Sequence, residues 1–158
     1  MGKSTEYACG YRIVAPRWAH EAISGEGARK FGGRWNSPGR EMTYLGGSRA
    51  LAALELLVHL PSPLSRAKPF RMIEVKIPKK LVANYPLSVL PEDWRESPAP
   101  RAAAVTGDDW LDDCGQLAMR VPSVLIPEET NILLNPNHPL FKEVINGEGR
   151  ELSFDKRL

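Results

Sequence analysis

Apolar residues crowd one segment of this chain more than any other. Between Ser48 and Leu60 the sequence SRALAALELLVHL sets Leu51, Leu54, Leu56, Leu57, Val58 and Leu60 around almost the whole helical circumference. That pattern predicts a buried helix. Ser48 is placed to cap its start, and Pro61 ends it. One narrow stripe escapes the large apolar side chains. Ser48, Ala52, Glu55 and His59 recur at i, i+4, i+7 and i+11 and align on one side. A carboxylate on a buried helix is costly unless it is paired or faces a polar cavity. Glu55 and His59 are therefore expected to look into a site, with the loop Gly32-Gly33-Arg34-Trp35-Asn36 as its opposite wall.

Elsewhere the pattern is shorter-ranged. Tyr11–Val14 is β-branched and apolar enough for a first strand, with Arg12 embedded in it. Ala19–Ala28 reads as a short helix or a loop. Phe31–Arg40, rich in Gly, Pro and Asn, reads as loop. Met42–Leu45 predicts a short strand before the turn Gly46-Gly47-Ser48. Phe70–Ile77 alternates apolar and polar positions, as a half-buried strand does. Leu81–Val82 and Ser88–Val89 sit among prolines and carry little signal, and Asp93-Trp94 reads as a turn. Pro98–Gly107 is expected to be loop, Asp108–Arg120 a helix, Pro122–Ile126 and Asn131–Leu134 strands, and Arg150–Phe154 a last strand. Strands thus occur without a regular alternation with helices. The expected fold is an α+β domain, residues 1–158, with a mixed, largely antiparallel sheet and a few helices.

With 158 residues the chain is long enough to bury a proper core in one domain. Its 42% hydrophobic and 25% charged residues are ordinary for a soluble globular protein. A net charge of +2, with no basic run, gives no footprint for direct nucleic-acid binding. No stretch is apolar enough to span a bilayer, and Met1–Gly10 has no secretory apolar core. Cys9 and Cys114 form neither a metal spacing nor a disulfide framework. The expected location is the cytoplasm, with no metal.

Gly25-Glu26-Gly27-Ala28-Arg29-Lys30 lacks the third glycine of a dinucleotide fingerprint and follows no clear strand. There is no P-loop and no Gly-x-Ser-x-Gly elbow. Arg34, flanked by Gly33 and Trp35, suits a bidentate grip on phosphate; a solvated loop arginine is the plainer alternative. Trp35 and Asn36 beside it suit a nucleotide. Glu55 reads equally as a site carboxylate or as half of an internal salt bridge with Arg12 or Arg34. His59 reads as an orienting residue or a core histidine, and Tyr44 as a stacking ring or a core tyrosine. Ser123 and Asn131, each near the start of an expected strand, are ambiguous alone. Ser123 has no Asp/His relay by spacing. Trp94 and Trp110 read as core or rim.

As an ordered set these segments resemble the RES-domain family, the toxin half of RES–Xre toxin–antitoxin pairs. The resemblance runs from Tyr11-Arg12-Ile13 through Gly32–Asn36, Tyr44 and Ala50–Leu60. It resumes at Pro122-Ser123-Val124 and continues through Ile126-Pro127, Asn131, Asn135-Pro136 and His138-Pro139. Residues 61–121 carry little of it. Arg34, Glu55 and Ser123 match the Arg, Glu and Ser that name the family. The resemblance implies a fold similar to ADP-ribosyltransferase toxins and cleavage of the nicotinamide–ribose bond of NAD+, with NAD+ as substrate rather than cofactor. The acceptor it implies is water or inorganic phosphate, with a protein as the alternative. It further implies a helix-turn-helix, Xre-type antitoxin as partner, leaving a homodimer within that complex open. In that reading Glu55, Arg34, Tyr44 and Ser123 are catalytic, and Arg12, Trp35, Asn36, His59 and Asn131 bind substrate. From the residues alone, a non-enzymatic α+β binding module remains the competing class.

Overall fold

The computed structural model describes residues 2–85 and 87–158. Eight strands form one sheet: β1 (Tyr7–Val14), β2 (Thr43–Gly46), β3 (Phe70–Pro78), β4 (Val82–Asn84), β5 (Ala118–Pro122), β6 (Thr130–Leu134), β7 (Ile145–Asn146) and β8 (Arg150–Leu152). The spatial order is β4-β5-β6-β2-β1-β3-β7, with β8 also on β3. Among the described residues only β4–β5 is parallel, and every other pair is antiparallel. Four α-helices accompany it among the described residues: α1 (Glu26–Phe31), α2 (Arg49–Leu57), α3 (Pro63–Arg66) and α4 (Arg101–Asp113). The fold is thus α+β with a mixed, largely antiparallel sheet, as the sequence pattern indicates.

Alternation along the strands feeds both faces of the sheet. Ile73, Val75 and Ile77 of β3 join Leu45, Ala118, Ile132 and Leu134 in one apolar cluster. Met72 and Phe70 join Ile13 and Ala52 in another, and Leu133, Met119 and Val121 pack with Trp35 and Trp110 in a third.

The sheet is weakly joined at its middle. β1 is paired with β3 from Tyr7↔Pro78 to Val14↔Arg71, but it meets β2 at a single register pair, Tyr11↔Gly46. Beyond that pair the two strands diverge.

Several boundaries differ from expectation. α2 begins where Ser48 predicts, with Ser48 Oγ accepting from Leu51 N at 3.1 Å, but it ends at Leu57; His59 and Leu60 close tighter turns onto Leu56 O and Leu57 O. Nor is α2 fully buried. Only Leu51 and Ala52 are, while Leu54 is 38% and Val58 56% exposed. The helix covers one side of the β1–β2 junction, packs Ala53 and Leu56 against the Ile13 cluster and leaves Leu54 and Val58 outward.

The expected loop Pro98–Gly107 is largely α4, which the alanines at 102–104 favour and Pro100 precedes. α4 stops at Cys114 in a left-handed conformation, and 118–122 is strand rather than helix. Ser123 consequently follows a strand instead of opening one, and Val124–Ile126 is turn rather than strand. Ala19–Ala28 divides between a 3-10 turn at Pro16–Glu21 and the start of α1.

Gly107 explains how α4 docks. A Cβ there would fall 1.6 Å from Trp35 O, so only glycine lets the helix press against the Trp35 backbone. Asp108 Oδ1 then accepts from Ser37 N at 3.0 Å.

Candidate active site

Where β1 and β2 diverge a cavity of about 920 Å³ opens, within the size range of small-molecule sites. Tyr11, Arg12 and Ile13 line it from β1, and Thr43–Gly46 from β2. Glu55 and His59 face it from α2 and the turn after it, Arg34 and Trp35 from the glycine-rich loop, and Asn131 from β6. Residues drawn from 11 to 131 thus converge on one space.

Glu55 is held by hydrogen bonds, not by an ion pair. Its Oε1 accepts from Ser123 Oγ at 2.7 Å and from Asn131 Nδ2 at 2.8 Å. Neither Arg12 nor Arg34 forms a salt bridge with it among the described residues. The salt-bridge alternative therefore does not describe this carboxylate. Oε2 is left to the cavity. Asn131 can donate only with its Oδ1 turned away from Glu55, and that buried oxygen has no partner among the described residues.

Ser123 sits behind the carboxylate and does not line the cavity. It is 0% exposed, and its Oγ also accepts from Leu125 N and Ile126 N. Ser123, catalytic in the reading the resemblance implies, meets Glu55 rather than the cavity.

Both cavity arginines are anchored on neutral carbonyls. Arg12 Nε donates to Ala22 O at 3.2 Å and its Nη1 to Tyr44 O at 3.3 Å. Arg34 Nη1 donates to Trp94 O at 2.9 Å and to Glu96 O at 2.7 Å. Burial pulls both guanidinium pKa values down, and for Arg34 the charge of Glu55 opposes that pull. Two cations held by carbonyls, without a salt bridge to a carboxylate among the described residues, have the chemistry to accept an anion.

Tyr44 lines the cavity, and its hydroxyl is engaged by the loop that carries Arg34. That hydroxyl accepts from Trp35 N at 3.0 Å and donates to Asn36 Oδ1 at 2.6 Å; burial raises its pKa. Asn36, expected to bind substrate, does not reach the cavity. It is 1% exposed, and its Nδ2 donates to Ala28 O, Ser37 O and Arg40 O. Its polar atoms fold the loop that carries Arg34. His59 is neither a core histidine nor bonded to Glu55; it stands exposed at the rim.

Residues 10–155 match the RES domain. The chain belongs to the RES domain family. Among curated relatives, Toxin Res of Yersinia enterocolitica serotype O:8 / biotype 1B is 36% identical over 149 residues, covering 94% of this chain and 97% of that one. The Prs ADP-ribosylating toxin of Sphingobium sp. (strain YBL2) is 37% identical over 156 residues, covering 94% of each. The M. tuberculosis MbcT–MbcA toxin–antitoxin complex contains a chain with the same fold, at TM-score 0.75 and 18% identity, covering 94% of this chain and 86% of that one.

The cavity of this RES domain also involves groups that the sequence pattern does not single out as site residues. Tyr11 lines the cavity, with the Arg49 guanidinium 4.5 Å from its ring centre and Arg49 in turn paired to Glu74 at 2.9 Å. The carbonyls of Trp94 and Glu96 act through backbone, which no side-chain pattern reveals. Among the described residues no group of three or more His, Cys, Asp or Glu side chains is arranged to hold a metal. No helix among them is long and apolar enough to cross a membrane.

Proposed function

We propose that this chain is the toxin of a toxin–antitoxin pair and that its cavity binds NAD+ and cleaves the nicotinamide–ribose bond. One observation carries the reading: a carboxylate fixed at one oxygen by Ser123 and Asn131 shares a cavity with two arginines that no carboxylate neutralises. That arrangement fits a ligand with an electron-poor sugar at one end and a pyrophosphate at the other.

The C1′–N bond breaks with its electron pair going to nicotinamide, which leaves neutral and needs no general acid. Positive charge then develops on the ribose. Glu55 stabilises that charge by its own charge or through the 2′-hydroxyl. An acceptor oxygen bonds C1′ and releases its proton. Arg34 and Arg12 hold the phosphates, Tyr44 packs on the nicotinamide or ribose, and Asn131 Oδ1 takes a hydrogen bond from a substrate hydroxyl or amide. Trp35 and His59 bound the substrate at the wall and rim.

Water or inorganic phosphate as acceptor depletes NAD+ and arrests growth in the cytoplasm. The name of the Sphingobium relative favours a protein acceptor as the second reading. An antitoxin partner is supported by the toxin–antitoxin complex that shares the fold; a helix-turn-helix, Xre-type protein is the expected kind.

The test is NAD+ consumption by the purified, partner-free chain, with and without inorganic phosphate, with Glu55→Ala as control. Nicotinamide release lost in the control supports the enzyme, and phosphate dependence names the acceptor. Nicotinamide release that requires an added protein, in step with mass added to that protein, supports the second reading. Intact NAD+ with neither outcome overturns both.

A further inference from the structure

The segment from Pro91 to Ala99 crosses the cavity mouth, where Ser97 and Ala99 form part of the lining. It is tied down at three points of different chemistry. The Trp94 ring stacks on Trp35, with centroids 6.4 Å apart and planes at 24°. The Trp94 and Glu96 carbonyls take both hydrogens of Arg34 Nη1, at 2.9 and 2.7 Å. Arg95 Nε donates to Val124 O at 2.8 Å, in the turn directly after Ser123. Within the segment, Trp94 N bonds Pro91 O and Glu96 N bonds Asp93 O, which fixes where the two carbonyls point.

Hence one face of the Arg34 guanidinium is fixed while its charge stays available. Its Nε and other amino group have no partner among the described residues. Trp35, on which Trp94 rests, is the residue next to Arg34, so ring and carbonyl act on the same short stretch. Trp35 is in turn clamped from behind by Gly107 of α4.

We propose that Trp94 is a positioning residue: its ring on Trp35 and its carbonyl on Arg34 aim the free guanidinium donors at the phosphates of the ligand. This rests on the dinucleotide reading of the cavity and adds a specificity role for the segment 91–99. A loosened strap leaves Arg34 mobile, and each ligand then has to order it on binding. The loss falls on binding, because Glu55, Ser123 and Asn131 are untouched.

The experiment compares wild type with Trp94→Ala, Trp94→Leu, Trp94→Phe and Arg34→Ala. Calorimetry measures binding of inorganic pyrophosphate, and NAD+ turnover is measured in parallel. Trp94→Ala and Trp94→Leu are expected to weaken pyrophosphate binding and raise the KM for NAD+ about tenfold, with kcat within about threefold. Trp94→Phe, which can still stack, is expected to stay within about twofold of wild type. Should Trp94→Ala not fold, Trp94→Leu carries the comparison. A folded Ala or Leu variant with wild-type pyrophosphate affinity and KM overturns the assignment, as does a fall in kcat at unchanged KM. Pyrophosphate binding that needs both Arg34 and Trp94, in a wild type that leaves NAD+ intact, defeats the dinucleotide reading and upholds the positioning role.

Discussion

Ser123 Oγ lies 2.7 Å from Glu55 Oε1 and donates its only proton there. The same oxygen accepts two backbone N–H groups, so it is engaged on every side. Ser123→Ala is expected to lower kcat about ten- to a hundredfold with little change in KM, because it frees the carboxylate without touching the arginines. It also strands two turn amides and costs about 1–3 kcal/mol of stability. Steady-state kinetics and denaturant unfolding on one preparation separate the two effects.

Glu55→Gln isolates charge from shape. Glutamine Oε1 still accepts from Ser123 and Asn131, so the melting temperature is expected to stay within a few degrees of wild type. NAD+ turnover is expected to fall by roughly a hundredfold or more, since a neutral amide does not offset a ribosyl cation. A thermal melt beside a turnover assay checks both; a Gln variant that keeps its turnover removes Glu55 from the chemistry.

Gly107→Ala tests the docking of α4 against the loop that carries Arg34 and Trp35. The added Cβ meets Trp35 O at 1.6 Å, a backbone atom that cannot swing aside. Overpacking of this kind costs about 1–3 kcal/mol or more. Urea unfolding is expected to show that loss, and the KM for NAD+ is expected to rise with it as the Arg34 loop shifts.

Tyr44 sets an alkaline limit on stability. Burial raises its pKa in the folded chain above the value of 10.0 it has when unfolded. The proton therefore stays on the folded form while the unfolded form ionises. The contribution is full below pH 10.0, and it is lost progressively as pH rises from there toward the folded value. Stability measured from pH 8 to 11 is expected to fall less in Tyr44→Phe than in wild type, from a lower starting level because Asn36 loses its donor.

Glu55 is legible in the sequence because a carboxylate interrupts an otherwise apolar wheel, and Arg34 because glycines and a tryptophan surround it. The strands β3 and β6 are legible from alternation and apolar content. Other features stay hidden for physical reasons. Asn36 looks like a ligand residue until Ala28 O and Tyr44 Oη are seen to surround it, contacts that depend on how the loop folds back. Ser123 is misplaced because Pro122 reads as a strand start, while the strand comes before it. The wheel of α2 overstates burial, since periodicity reports composition around an axis and says nothing about how many neighbours the fold supplies. α4 hides behind Pro98 and Pro100, although the alanines after them favour helix.

The single register pair between β1 and β2 has a thermodynamic corollary. Backbone ladders hold most sheets together, yet here the two leaves share almost none at the place where the cavity lies. Arg12, reaching from one leaf to Tyr44 O on the other, stands in for the missing rungs. A ligand that spans Arg12 and Glu55 adds further cross-links between the leaves. Its binding free energy then appears as resistance of the whole sheet to opening, and amide exchange along Thr43–Gly46 becomes a direct gauge of occupancy.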